Sequence, residues 1–289
     1  MVTLWNRCRN NMGKRTCFGV GRDPTQGTNL DCNSRWSAVK IWVDDALLES
    51  SLEFVTSDGW PVGAGLFETI RTENLRPQLL SRHMRRVLLS ARELSVSLPG
   101  QDHILNAVDR LLAAEPHPVG RLRLSFSTNH FIATHEPYKD EQISMKVRTY
   151  HIESQRSSRQ HKTFPYSDNL ELLSLAKGEG LDEFVCIDNV DRVTEGAVSN
   201  VAFRIAGSWV TSPITSGILP GVIRALAIEK CDVLVREITE TDLMACDGAI
   251  AMSSLNVALP ISALDHRPLL IDSDTERLCL KLRELARTL

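Results

Sequence analysis

The stretch Lys162–Asn200, KTFPYSDNLELLSLAKGEGLDEFVCIDNVDRVTEGAVSN, decides how the rest of the chain is read. Lys162 is followed by Thr163, Phe164 and Pro165, a β-favouring run whose proline keeps Phe164 out of helix, so the lysine is predicted on a strand or at its exit. Leu170, Leu173, Leu175 and Ala176 then recur with a helical rhythm that stops at Gly178 and Gly180. Glu183 to Ile187 reads as a short buried strand, Asp188 to Asp191 as a turn, and Val193 to Glu195 as the return, a hairpin that presents Glu195. The stretch thus offers an amine and a distant carboxylate, joined by regular elements.

An amine and an acid are the two side chains that pyridoxal 5'-phosphate needs most: one to form a Schiff base, the other to keep the pyridinium nitrogen protonated. Lys-Thr-x-x-Tyr at 162–166, Leu-Asp-Glu at 181–183 and Val-Thr-Glu-Gly-x-x-Ser-Asn at 193–200 resemble the class IV aminotransferase family, the fold type IV pyridoxal phosphate enzymes. The resemblance runs from about Ile41 to about Leu270. It implies an α+β fold of two domains with the cofactor between them, Lys162 as the Schiff-base residue, Glu195 at the ring nitrogen and Tyr166 at the phenolic oxygen. Known members are homodimers acting on small amino substrates, so both are implied here.

Three further segments are read with this resemblance. Gly63 to Arg71 is a glycine-permitted turn feeding a strand in which Phe67, Thr69 and Arg71 share a face; the resemblance turns Phe67 and Arg71 to the substrate and Glu68 away. Ser81 to Ser95 is an amphipathic helix with Met84, Val87, Leu88, Ala91 and Leu94 as its stripe and Ser81 as its cap. Arg82, Arg85, Arg86 and Arg92 crowd that helix, and only the family's His-x-x-Arg pattern, here His83 and Arg86, singles out Arg86 for the cofactor phosphate, which a guanidinium fork suits. Gly217 to Arg224 leads into a helix at Pro220 and Gly221, where the amides of Val222 and Ile223 can hold an anion. After an apolar strand at Gly248–Met252, Ser254 matches the family's phosphate hydroxyl.

The remaining pattern gives a strand at Val39–Val43, a helix at Asp102–Ala114, strands at Arg121–Ser127, Ser144–Tyr150, Val201–Ile205 and Trp209–Thr211, and a closing helix at Thr275–Leu289. The predicted organisation is an N-terminal extension of unknown role at 1–37, a small domain at 38–150, a polar connection at 151–161 and a large cofactor-binding domain at 162–289. A chain of 289 residues with 43% hydrophobic content can bury cores of this size. Net charge −3 gives no general attraction to nucleic acid or to an anionic membrane, and no long apolar run marks a spanning helix or a leader, so a cytoplasmic protein is expected. The cysteines are seven, widely spread and without Cys-x-x-Cys, which argues for reduced thiols and against a metal.

Within the family, the loose Lys-Thr-x-x-Tyr style and the length resemble the aminodeoxychorismate lyase branch, which releases pyruvate and forms 4-aminobenzoate. A transaminase acting on a branched-chain or D-amino acid, and a protein that binds pyridoxal phosphate without turnover, are the other readings. Departures from the family pattern bear on the substrate more than the cofactor: Ser57-Asp58-Gly59-Trp60 replaces Asp-Arg-Gly-Phe or Tyr, Ala64 replaces an Asp, Pro165 a frequent Asn, and Ile223 and Met252 replace threonines. A dinucleotide fold is excluded because Gly63–Thr69 lacks the third glycine and runs into a strand, and a serine hydrolase because no Gly-x-Ser-x-Gly occurs.

Overall fold

The computed structural model describes residues 39–51, 53–56, 60–153 and 160–289. The N-terminal extension, Ser57 to Gly59 and most of the 151–161 connection lie outside the described residues. The elements in chain order begin with β1 (Lys40–Val43), β2 (Ala46–Glu49), β3 (Gly65–Glu73), β4 (Arg76–Pro77), α1 (Leu80–Glu93), α2 (Gln101–Ala114), β5 (Val119–Ser127), β6 (Phe131–Pro137), β7 (Met145–His151) and β8 (Thr163–Phe164). There follow α3 (Ser167–Gly178), β9 (Glu183–Ile187), β10 (Val193–Gly196), β11 (Asn200–Ile205), β12 (Ser208–Thr211), α4 (Val222–Lys230) and β13 (Leu234–Val235). The last are α5 (Glu240–Ala245), β14 (Gly248–Ser253), β15 (Val257–Leu264), β16 (Arg267–Pro268) and α6 (Ser273–Thr288).

Two sheets form. The first runs β2-β1-β6-β5-β3-β4 with β8 on β3, and the second β10-β9-β7-β15-β14-β11-β12-β13 with β16 on β15. In β3 the alternation of side chains sets both faces. Leu66 and Ile70 pack with Val87 and Ala91 of α1 and Val108 and Leu111 of α2, while Phe67 and Thr69 look into a cavity between the sheets. In the second sheet, Ile250 and Met252 meet Leu226 of α4 and Leu278 and Leu282 of α6 on one side. Phe203, Ala251, Leu259 and Ile261 form the core on the other, with Leu243 of α5.

The structure departs from the sequence reading in several places. β7, expected to end the first domain, pairs in parallel with β9 and β15 of the second sheet, whereas β8, just after Lys162, pairs with Gly65 and Leu66 of the first. Sheet membership therefore changes three times, between β6 and β7, between β7 and β8 and between β8 and β9, and the division at 151–161 stays a proposal about folding units. Helix α1 is entered through Leu79 in a left-handed conformation with no side-chain cap, so Ser81 does not cap it. Its buried face is His83, Arg86, Val87, Ser90 and Ala91, with Leu88 and Leu94 each 43% exposed; the helix has turned polar groups inward because a buried carboxylate, Glu68, lies beneath it. The strands β2, β6 and β15 and the helix α5 fall where no element was expected. Among the described residues no helix is long and apolar enough to cross a membrane.

Candidate active site

A cavity of about 470 Å³ opens between the sheets, walled by β3, β5, β8, the turn after β10, the start of α4 and the turn after β14. Lys162 enters it from β8. Its carbonyl accepts the amide of Phe67 at 2.9 Å, and its Nζ stands 4.4 Å from the Phe67 ring centroid and 4.9 Å from that of Tyr166. Trp60 completes an aromatic wall, with ring centroids 5.0 Å from Phe67 and 6.0 Å from Tyr166. Dense surroundings penalise the ammonium, and Arg86 repels it further, so the Lys162 pKa falls from the ordinary 10.5 to about 7 despite the attraction of Glu68 and Glu195. The amine is therefore substantially neutral, and nucleophilic, near neutral pH.

Glu195 sits on the returning strand of the predicted hairpin, whose partners Val193 and Ile187 pair as expected. Its Oε2 accepts Asn200 Nδ2 and the Leu219 amide, each at 3.0 Å. Asn200 Nδ2 also donates to the Leu219 carbonyl at 3.1 Å. The acid is thus buried, at 5% exposure, and locked to the loop that leads into α4. Gly221 closes this lock: a Cβ there would lie 1.7 Å from Asn200 Oδ1. Gly221 is also the N-cap of α4, and the amides of Val222 and Ile223, both lining the cavity, belong to the first turn, whose donors have no intrahelical acceptor.

Arg86 reaches the cavity from α1, already paired. Its Nε donates to Glu68 Oε1 at 2.8 Å, its second terminal nitrogen to Glu68 Oε2 at 2.5 Å, and its first to the Pro220 carbonyl at 3.3 Å. His83 Nδ1 shares Glu68 Oε2 at 2.7 Å. Burial alone would raise the Glu68 pKa, but Arg86 and His83 outweigh it and bring it to about 2, while burial lowers that of His83. Glu68 does face away from the cavity, as expected, and its role there is to hold Arg86.

Of the predicted site residues, Phe67, Arg86, Lys162, Tyr166, Glu195, Gly221, Val222, Ile223 and Ser254 all line the cavity. Arg71 does not. Its Nε donates to Glu73 and its terminal nitrogens to Asp140 and the Leu255 carbonyl, so its donors are turned to protein partners. The cations on the Phe67 side come instead from the adjacent strand: Arg121 and Arg123 of β5 line the cavity, and Arg123 stands beside Thr69 in register. The Arg123 guanidinium lies 3.9 Å over the Trp60 ring. Two supporting residues also went unassigned. Glu183 accepts Val198 N at 2.6 Å, Ser199 N at 3.0 Å and Ser199 Oγ at 2.9 Å, and so holds the Gly196–Ser199 turn under the cavity; Asn200 ties Glu195 to Leu219. Both stand inside the motifs quoted above, but a motif does not say which member touches which. The alternation of Arg121 and Arg123 with Leu122 and Leu124 was the available signal for the cationic wall.

The donor set suits pyridoxal phosphate: an amine whose pKa is lowered to about 7, a buried carboxylate with fixed partners, and at the α4 end a guanidinium, first-turn amides and the Ser254 hydroxyl for a phosphate.

Comparison with known proteins agrees. An aminodeoxychorismate lyase of Bacillus subtilis (strain 168) is 25% identical over 234 residues, spanning 72% of this chain and 80% of the relative. The pyridoxal phosphate-bound form of a hypothetical aminotransferase from Mycobacterium tuberculosis has a TM-score of 0.74 at 20% identity, over 86% of this chain and 98% of that one. The branched-chain amino acid aminotransferase of Escherichia coli has a TM-score of 0.74 at 19% identity, over 86% and 95%. These structures share the fold. The family model for class IV amino-transferases matches residues 65–264, more than half of the chain, and the protein belongs to that family of pyridoxal phosphate-dependent enzymes.

Proposed function

We propose that this protein binds pyridoxal phosphate through Lys162 and acts as a 4-amino-4-deoxychorismate lyase, releasing pyruvate and 4-aminobenzoate. The observation that carries the reading is the meeting, in one cavity, of the Lys162 amine with a pKa of about 7, the anchored Glu195 and the Arg123 guanidinium over Trp60. The similarity to the Bacillus subtilis lyase supports the choice of branch.

When bound, the cofactor supplies an electron sink conjugated to the substrate carbon that bears the amino group. Lys162 takes the proton from that carbon and gives one back to the departing pyruvate, a double duty that a pKa near neutrality permits. Glu195 holds the proton at the ring nitrogen. Arg86, the Val222 and Ile223 amides and Ser254 bind the phosphate, and Tyr166 binds the phenolic oxygen. Arg123, whose guanidinium lies over the Trp60 ring, takes the substrate-facing place given to Arg71 and receives a substrate carboxylate. The rings of Trp60, Phe67 and Tyr166 crowd the amine and shield it in part from water.

The same cofactor residues would serve a transaminase, and the reaction requirement separates the two. With aminodeoxychorismate and no keto acid acceptor, the lyase forms 4-aminobenzoate and pyruvate in equal amounts. If no 4-aminobenzoate forms while a panel of amino acids converts the cofactor to its amine form, the transaminase reading replaces the lyase.

A further inference from the structure

Arg71 is buried, at 4% exposure, and its guanidinium touches three separate stretches of chain. Nε donates to Glu73 on the same strand at 2.8 Å, one terminal nitrogen to Asp140 beyond β6, and the other to the Leu255 carbonyl at 2.8 Å. Glu73 is itself gripped by Arg287, in the last turn of α6, at 2.8 Å. Tyr138 lies beside the same guanidinium, its ring centroid 5.8 Å away, and its hydroxyl donates to Asn256 Oδ1. A strand of the first sheet, through Arg71, and the segment just after β6, through Tyr138, therefore reach across to one short turn of the second. Ser253, Ser254, Leu255 and Asn256 of that turn all line the cavity.

The turn needs holding. Val257, which follows it, has φ +59°, a left-handed conformation that a β-branched residue adopts only under strain of about 1–3 kcal/mol, and such strain persists where neighbouring contacts over-determine the backbone. Inside the turn Asn256 N donates to Ser253 Oγ at 3.3 Å, a long bond. Beyond the β14–β15 ladder, which pairs Ser253 with Val257, the turn is held by Arg71 and Tyr138.

We infer that Arg71, together with Tyr138, is a positioning residue for the cofactor's phosphate end: it pins the 253–256 turn against the cavity and so aims the Ser254 hydroxyl. This rests on the reading that the site holds pyridoxal phosphate with its phosphate at the α4 end. A guanidinium can serve Glu73, Asp140 and Leu255 at once because its donors fan out in one plane, whereas a lysine ammonium at the same place has a single centre and cannot span all three.

The test compares pyridoxal phosphate with pyridoxal, which offers the same carbonyl to Lys162 but lacks the phosphate. Dissociation constants for both, measured by absorbance, and thermal midpoints are determined for the wild type, Arg71→Lys and the milder Tyr138→Phe. Each variant is expected to weaken pyridoxal phosphate about tenfold, the size of one lost hydrogen bond to a charged group, and to leave pyridoxal within about twofold. Equal weakening of both ligands in step with a lowered thermal midpoint means a merely structural role and overturns the inference. So does a wild-type preference for the phosphorylated ligand that both variants retain, which leaves the cofactor reading standing. A wild type with no such preference overturns the cofactor reading and the inference with it.

Discussion

Replacing Lys162 by Met removes the cavity's amine while keeping a side chain of similar length, and its signature lies in the pH dependence of stability. In the folded protein the Lys162 pKa is about 7 against an ordinary 10.5. Between those values the unfolded chain binds more protons than the folded one, so stability rises with pH through the window and the penalty is largest below about pH 7. At about 1.4 kcal/mol per unit, the full shift corresponds to at most about 5 kcal/mol, an upper figure because the side chain keeps some surface open to cavity water that screens the charge. Between about pH 7 and about pH 9 the wild type should gain about 2 kcal/mol relative to Lys162→Met. Urea unfolding of both proteins, freed of cofactor, at those two pH values gives the difference directly, and other titrating groups cancel in the comparison. Parallel stability curves for the two proteins would refute a depressed Lys162 pKa, and with it the account of how one amine both receives and returns a proton near neutrality.

Borohydride treatment of the protein loaded with pyridoxal phosphate should fix a pyridoxyl group on Lys162, read by peptide mapping; a label on Lys177 sinks the assignment. Glu195→Gln should keep cofactor binding but lower turnover by at least about 100-fold, measured as kcat, since the ring nitrogen loses its anionic partner. Arg123→Leu should raise KM for aminodeoxychorismate about tenfold or more, the worth of a charge-assisted hydrogen bond, with the cofactor dissociation constant unmoved. Gly221→Ala places a Cβ where Asn200 Oδ1 now lies, 1.7 Å away, so Asn200 must swing off Glu195 and Leu219; a stability loss of about 1–3 kcal/mol and weaker cofactor binding are expected, from thermal melts and titration.

What could be read from sequence followed from periodicity where one kind of environment covers each face. Glu183 to Ile187 is buried throughout, and Arg121 to Ser127 alternates around Leu122 and Leu124, so both read as strands. The strand β6 did not, because its two faces are both partly polar and both enclosed: Thr134 is 2% and His135 0% exposed, and His135 reaches Thr72 at 2.8 Å and the Glu115 carbonyl at 2.6 Å. The inward face of α1 was read only in part: Val87 and Ala91 are buried as expected, but Leu88 and Leu94 are not, for a related reason. An apolar stripe predicts burial only where the opposing surface is apolar, and here Glu68 asks for Arg86 and His83 instead.

The candidate cofactor residues were legible because family motifs tie them to short local elements, and every one of them lines the same cavity. The substrate side was not, and Arg71 shows why. Alternation along β3 correctly gave it the parity of Phe67, but parity names only a side of the sheet. What occupies that side is set by residues 69 and 184 positions away, Asp140 and Leu255, which no local pattern reports. The same limit hid the better cation. Arg123 reaches the cavity because β5 pairs antiparallel with β3 in a register that sets it opposite Thr69, and a shift of one residue would have turned it to the helices and brought Leu122 or Leu124 to the cavity. Which cations face the cavity is therefore decided by strand register between segments, and a reading of one strand at a time recovers the face without the partner.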